Sequence, residues 1–247
     1  MPSLIYRVLA VSASVCFLCL QTSVCVSQTV TLNAVEDTTI YSENVNNNGG
    51  AHAFSIAGRA NNGNERRSLL RFDLSGIAPG STVNSASLNL NVLQIGNTGG
   101  NFELFRIDTD WGEGDGVGNT GSAASAGAAT WNSAEFGSVD WATPGGSFFP
   151  SLLSDVSITS TGVSTFSSSA NFTSAIQAIV DNPTQNFGLL ITTSSPGNGS
   201  AIRIDSRAGG SAAALVVDFT AVPEPTGISI LALAMAGLCL RRSRTCQ

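Results

Sequence analysis

The sequence contains no lysine, and all 11 of its basic residues are arginines. Charged residues make up only 11% of the chain, well below the usual quarter or so. Between residues 28 and 222 there are 7 arginines against 16 acidic residues, a net charge of −9. A surface with so few cations cannot displace the counterions of phosphate groups. These numbers argue against a nucleic-acid partner.

Cysteine is also missing from this central segment. The five cysteines lie near the chain ends, at Cys16, Cys19, Cys25, Cys239 and Cys246. No disulfide can therefore form between residues 28 and 222. A segment of about 190 residues buries enough apolar surface to fold without cross-links.

The N-terminal residues have the order of a secretory signal peptide. Arg7 precedes an apolar stretch at 8–20, and small or polar residues follow up to Ser27. The apolar stretch is short for a membrane span, which needs about 20 residues. Cys25 suggests a lipoprotein anchor, but Val24 occupies the position where a small residue is required. We expect cleavage after Ser27 and export across the inner membrane.

The C-terminal residues predict a second sorting signal. Its parts, in order, are a Pro-Glu-Pro motif, an apolar stretch and an arginine cluster: Pro223, Glu224, Pro225, residues 227–240, Arg241, Arg242 and Arg244. A helix over the apolar stretch would rise about 21 Å, less than the roughly 30 Å of a bilayer core. The arginines would stay on the cytoplasmic side. The pattern predicts transient membrane association, and a plain tail anchor is the alternative.

This C-terminal order resembles the PEP-CTERM sorting signal of Gram-negative bacteria over residues 221–247. The resemblance implies processing by an exosortase, a membrane transpeptidase-like enzyme. It also implies delivery to the cell surface or to the exopolysaccharide matrix.

The segment at 28–220 predicts β-strands. At 83–93, apolar residues alternate with serine and asparagine, the period-two pattern of a half-buried strand. Further strands are predicted at 30–34, 53–57, 68–74, 102–107, 156–160, 187–193, 201–205 and 214–220. Clusters of Gly, Pro and Asn separate them. The pattern predicts an all-β fold, an antiparallel β-sandwich.

Two segments differ from this pattern. Residues 172–180 carry apolar side chains at helical spacing and are followed by Pro183, which predicts one short helix covering the sandwich. Residues 111–149 are rich in Gly, Ser and Ala and have little periodicity. A loop of this length is either functional or disordered. Its three tryptophans favour an ordered, functional segment.

Several motifs of the central segment together resemble the secreted DNRLRE-type module. They are RRSLLRFDL at 66–74, Ala-Pro-Gly at 78–80, the strand at 86–90, WGEG at 111–114 and TWN at 130–132. The resemblance implies a jelly-roll-like β-sandwich over residues 28–220, of a kind found in bacterial surface proteins. Some members of that family are similar to carbohydrate-binding modules.

A sugar-binding surface commonly offers an exposed aromatic face. Trp111 ends an apolar strand and is expected to be buried, and burial is the alternative for Trp131. Trp141 is flanked by Asp140 and by a Gly-rich turn, so we expect it to be the exposed tryptophan.

The adjacent arginines at 66, 67 and 71 are the one basic cluster in the central sequence. On a strand, Arg67 and Arg71 share one face while Arg66 takes the other. Guanidinium groups bind carboxylates, including those of uronic acids, in a bidentate manner. The hypothesis is that Trp141 stacks on a sugar and that Arg67 or Arg71 meets an acidic group. Internal pairing with Glu65 or Asp73 is the alternative.

Four carboxylates, Asp108, Asp110, Glu113 and Asp115, lie within eight residues. Oxygen ligands at this density suit Ca²⁺, which tolerates irregular loops. A solvated acidic turn is the alternative.

No catalytic constellation is evident. His52 is the only histidine, and Tyr41 is the only tyrosine beyond the signal segment. We expect an exported surface or matrix protein that binds polysaccharide or has a structural role there. The alternative is a secreted polysaccharide lyase, which would rely on Tyr41 or His52 as the base, or a glycoside hydrolase, which needs two opposed carboxylates.

Overall fold

Antiparallel β-strands dominate the computed structural model, which describes residues 26–195 and 197–222. The strands are β1 (Ser27–Tyr41), β2 (Asn47–Asn48), β3 (Phe54–Arg59), β4 (Glu65–Phe72), β5 (Thr82–Ile95), β6 (Gly100–Arg106), β7 (Ser122–Ala123), β8 (Ser133–Glu135), β9 (Val139–Asp140), β10 (Ser154–Ile158), β11 (Gly162–Phe166), β12 (Leu189–Thr193), β13 (Ile202–Asp205) and β14 (Ala214–Thr220). The predicted all-β sandwich with one short helix is confirmed.

The first sheet is built around β5. Residue Val92 of β5 pairs with both Ile204 of β13 and Gly162 of β11, so these two strands lie on opposite edges. Strand β14 follows β13 along the same edge of β5. Strand β3 extends the sheet beyond β13, and the first half of β1 extends it beyond β14.

The second sheet has the order β10, β6, β12, β4 and then the second half of β1. Strand β1 belongs to both sheets, because its pairing changes from β14 to β4 at an irregularity between Ala34 and Glu36. Strand β3 also reaches this sheet, where its last two residues pair with the start of β4. The two sheets are thus joined through continuous strands.

The main core lies between the sheets and is closed by helix α1 (Ala170–Asp181). The hydroxyl of Ser169 accepts a hydrogen bond from the backbone N–H of Phe172 and so caps the helix. The predicted helix at 172–180 is confirmed, and its apolar face is buried in the core. A 3₁₀ turn over Pro183–Gln185 follows it.

Helices in the described ranges are all too short or too polar to cross a membrane. Residues 1–25 of the predicted signal peptide (1–27) and residues 223–247 of the predicted sorting tail (221–247) lie outside those ranges. Within them, Ser27–Ala221 forms one compact unit.

Candidate functional site

Residues 111–149, the Gly-rich stretch, pack on the outer face of the second sheet. There they form a second apolar cluster. In this cluster Trp111 and Trp141 are packed together with Ile40, Leu69 and Leu190 of the sheet. The expected order of this segment is therefore explained by packing. The expected burial of Trp111 is confirmed, and its indole N–H donates to the carbonyl of Phe187 at 2.7 Å.

The expectation that Trp141 is exposed is wrong. Its side chain is only 5% exposed, and its indole N–H donates to the carbonyl of Thr130 at 2.8 Å. The reason lies in Gly145 and Gly146, which both adopt positive φ angles, of 96° and 99°. They turn the chain back onto the sheet, so the residues that suggested an exposed loop instead bury the indole.

One side chain, that of Asn48, organises this stretch. It is fully buried, and its Oδ1 accepts the backbone N–H groups of Gly50 and Gly116 at 2.9 and 3.1 Å. Its Nδ2 lies 2.8 to 2.9 Å from the hydroxyl of Thr38 and from the carbonyls of Glu113 and Ala129. A Cβ atom at Gly116 would collide with the Asn48 carbonyl. Close approach of the backbone therefore requires glycine here.

Arg67 projects onto this packed stretch. Its Nε donates to Glu65 at 2.8 Å and its Nη1 donates to the carbonyl of Gly145 at 2.7 Å. The guanidinium also lies 5.1 Å from the ring centroid of the half-buried Trp131. Arg67 is thus paired internally with Glu65, which was the alternative to a role in sugar binding.

Arg71 is engaged in the same way on the same face. It pairs with Asp110 at 2.6 Å and with Glu36 at 3.1 Å, and it stacks on Trp111 at 4.9 Å. Both arginine side chains are less than 20% exposed. These contacts hold the Gly-rich stretch against β4 and leave neither guanidinium open to a ligand.

The four clustered carboxylates are dispersed rather than convergent. Glu113 pairs with Arg207 at 2.6 Å, while Asp110 pairs with Arg71. Asp108 and Asp115 accept hydrogen bonds from neighbouring hydroxyl groups. In residues 26–195 and 197–222, no three His, Cys, Asp or Glu side chains are placed to hold a metal ion. The geometry therefore gives no support to a calcium site here.

An open groove lies where β3, β5 and β13 meet at one end of the first sheet. Its cavity volume is about 170 Å³. It is lined by Ile56, Arg59, Ala60, Asn61, Arg66, Gln94, Ile95, Gly96, Gly199, Ala201, Ile202 and Arg203. Three guanidinium groups, two amides and three isoleucines thus share one concave surface.

The groove carries uncompensated positive charge, although the domain as a whole is acidic. Arg203 forms no ion pair with any carboxylate of the described residues, and it is held by Asn119 at 3.1 Å and by the ring of Phe54 at 4.4 Å. Arg59 donates to the carbonyl of Gly63 at 3.3 Å, and its ion pair among the described residues is a long contact of 3.4 Å to Glu65, which also pairs with Arg67. Two arginines are therefore available to a ligand.

Arg66 has a different role in the groove. Its Nε donates to Glu43 at 2.8 Å and its Nη2 at 2.5 Å, and both side chains are largely buried. The predicted separation of Arg66 from the face shared by Arg67 and Arg71 is confirmed. Arg66 lines the groove, but Glu43 neutralises its charge. The positive charge of the groove therefore comes from Arg59 and Arg203.

Glycines allow close approach of the backbone in and beside the groove, where Gly96 and Gly199 are lining residues. A Cβ atom at Gly58 would lie 2.8 Å from the Cα of Ala201, and one at Gly96 would collide with the carbonyl of Gly199. Gly58 also has a φ of 107°, which favours glycine. No local sequence pattern marks this site, because Arg59 and Arg203 are brought together only by the pairing of β3 with β13.

The residues considered for lyase chemistry do not form a reactive pair. Tyr41 is fully buried, and burial raises the pKa of its hydroxyl to about 12. His52 packs against the ring of Phe54, with centroids 4.1 Å apart. Burial and the nearby Arg203 lower the pKa of the imidazole. A buried tyrosine cannot reach a polymeric substrate, so the lyase alternative loses one of its two bases.

A comparison with known protein families concerns the segment that contains β3, β4 and β5, which contribute to the groove. Residues 28–142 match carbohydrate-binding module family 96. The match begins in β1 and ends just after β9, and it contains the β3–β4 hairpin and the end of β5 that line the groove. No curated protein matches the chain. Over this range the chain is similar to a carbohydrate-binding module, which supports a carbohydrate-binding β-sandwich domain.

Proposed function

We propose that the domain binds polysaccharide without cleaving it and that the arginine-lined groove receives an acidic sugar. The observation that carries this proposal is the presence of Arg59 and Arg203 on one open groove in a domain with an excess of acidic residues. The similarity to a carbohydrate-binding module supports the ligand class. Arg67 and Arg71, considered first from the sequence, serve instead to hold the Gly-rich stretch.

The groove offers the chemistry that a uronic acid requires. A guanidinium binds a carboxylate through two parallel hydrogen bonds. The side chains of Asn61 and Gln94 are exposed beside it and offer both donors and acceptors to hydroxyl groups. Ile95, the one half-buried isoleucine of the lining, gives the C–H face of a sugar ring an apolar surface, whereas Ile56 and Ile202 are buried beneath the groove.

Replacing Arg203 by glutamine tests this site. We expect the affinity for an acidic polysaccharide to fall at least about tenfold, since a hydrogen bond to a charged group contributes about 1.5–3 kcal/mol. Affinity electrophoresis in gels containing polyuronates, sulfated glycans or neutral glycans measures this. The loss should shrink at high salt, because added ions screen the attraction.

Arg207→Gln is the matched control, because it removes the same charge from an exposed ion pair with Glu113 outside the groove. Equal losses in the two variants would mean that net charge, and not the groove, governs binding. Failure of the unmodified protein to bind any acidic glycan would refute the proposed function. Release of reducing sugar in parallel assays would favour the glycosidase or lyase alternative.

We further propose that the protein is exported and sorted to the surface of a Gram-negative-type bacterium or to its exopolysaccharide matrix. The signal-peptide order at 1–27 and the resemblance of residues 221–247 to the PEP-CTERM signal support this. An exosortase-type enzyme would then be a processing partner.

Export and sorting make a prediction about the mature protein. It should begin near Gln28 and should lack the residues after Pro225, because both flanking segments have the features of processing signals. Intact-mass measurement on protein recovered from the native surface checks this. A mass that retains Arg241–Arg244 would contradict the sorting proposal.

A further inference from the structure

Phe149 is the one aromatic residue among the large hydrophobic side chains that are exposed in the described part of the chain. Its side chain is 44% exposed, whereas the tryptophans are buried or half-buried. A single exposed apolar side chain is common on protein surfaces, so the groups around this ring decide whether it suits a contact.

The backbone around Phe149 is fixed. Its N–H donates to the carbonyl of Arg106 at 2.9 Å, and the preceding Phe148 forms a β-bridge with Ile107. The ring of Phe148 packs on Phe105, with centroids 4.7 Å apart. Phe149 is therefore presented from a strand-like segment whose backbone is fixed against β6.

A cation supports this ring. The guanidinium of Arg106 lies 5.1 Å from the Phe149 centroid. Among the described residues no carboxylate pairs with Arg106, whose Nη2 donates to the carbonyl of Gln185 at 3.2 Å. Its buried Nε has no hydrogen-bond partner. The side chain is thus held by the ring and by the carbonyl of Gln185, and no carboxylate in residues 26–195 or 197–222 neutralises its charge.

This pair is separate from the arginine-lined groove. Arg106 pairs with Leu189, which pairs with Leu70 near the end of β4. The groove includes Arg66, at the start of the same strand. Four residues of strand span about 13 Å, and two further inter-strand steps separate Arg106 from β4.

We propose that Phe149, supported by Arg106, is a second sugar contact, in which the ring stacks on the apolar C–H face of a pyranose. This inference rests on the proposed function, because a second sugar contact requires that the domain binds polysaccharide. The remaining donors of Arg106 are suited to a hydroxyl or carboxylate of the stacked sugar. A ring that is rigid and partly apolar, beside a free cation, suits an acidic glycan better than an apolar protein surface.

The test compares Phe149→Leu, which keeps apolar area but removes the ring, with Phe149→Trp, which keeps an aromatic face. Stacking contributes about 0.5–1.5 kcal/mol, so Phe149→Leu should weaken binding about two- to tenfold, and Phe149→Trp should retain it. The ligand is the polyuronate or sulfated glycan that the unmodified protein binds most tightly in affinity electrophoresis. Val163→Ala, a change at an exposed apolar residue of β11, is the control.

The salt dependence of the loss in affinity distinguishes this site from the groove. The loss caused by Phe149→Leu should be the same at low and high salt, whereas the loss caused by Arg203→Gln should shrink as salt rises. Unchanged binding by Phe149→Leu, with the Arg203→Gln loss intact, would overturn the second contact and leave the proposed function standing. Equal losses in the Leu and Trp variants would assign Phe149 a structural role. Absence of glycan binding by the unmodified protein would overturn both.

Discussion

Replacing Asn48 by alanine should lower the free energy of unfolding by about 3–5 kcal/mol. The substitution removes a buried amide that accepts two backbone N–H groups and donates to acceptors in β1 and in the Gly-rich stretch. Each buried partner that loses its hydrogen bond costs about 1–3 kcal/mol. Alanine offers these groups no hydrogen-bond partner.

The matched variants are Asn48→Asp and Asn47→Ala. Aspartate keeps the acceptor oxygens but has no donor for the carbonyls of Glu113 and Ala129, so it should be nearly as damaging as alanine. Asn47 is only half-buried and donates to the carbonyls of Thr120 and Gly121. Its replacement should cost about 1 kcal/mol.

Urea unfolding followed by far-UV circular dichroism and by tryptophan fluorescence measures these effects. All three tryptophans lie in or beside the stretch that Asn48 holds, so the fluorescence reports on that stretch directly. A cost below about 1 kcal/mol for Asn48→Ala would contradict the role assigned to this side chain.

The spacing of apolar residues along the chain was sufficient to predict much of the fold. The alternation at 83–93 predicted β5, and the apolar spacing at 172–180 predicted α1, because each element buries one face. The second half of β1 was missed, since it contains the buried polar residues Asp37, Thr38 and Thr39. Strand β11 was missed because its polar and exposed residues leave only Phe166 fully buried.

The groove could not be predicted from the sequence, because it is formed by residues that are distant along the chain. Arg66, Arg67 and Arg71 attracted attention because they are neighbours, yet Arg67 and Arg71 are used for internal packing. Arg59 and Arg203 stand alone in the sequence and meet only through strand pairing. Asn48 lies in a run of three asparagines at 46–48, and no local pattern distinguishes a buried asparagine from an exposed one.

Replacing Asp37 by asparagine should stabilise the domain near neutral pH. Asp37 is only 2% exposed, and burial raises the pKa of its carboxyl from 3.8 to about 6. The backbone N–H of Arg207, which donates to Oδ2 at 2.6 Å, opposes this rise in pKa. The charge of the Arg207 guanidinium also opposes it, whereas the carboxylates of Glu113 and Asp205 increase it.

The sign of the effect follows from proton binding. Between about pH 4 and 6 the folded state binds more protons at Asp37 than the unfolded state does, so stability falls as pH rises through this window. A shift of about two pKa units corresponds to about 3 kcal/mol. Asparagine resembles the protonated carboxyl and can still accept the N–H of Arg207. The variant should therefore exceed the unmodified protein in stability by up to about 3 kcal/mol above pH 7.

This advantage should disappear as pH approaches 4, where Asp37 is protonated in the unmodified protein. Two further pKa values are shifted: burial raises that of Glu36, and burial lowers that of His52. Both are present in the two proteins, so the difference in unfolding free energy between them isolates Asp37. Urea unfolding at several pH values measures that difference. A difference that stays constant from pH 4 to pH 8 would show that Asp37 ionises in the folded domain as freely as it does in the unfolded chain.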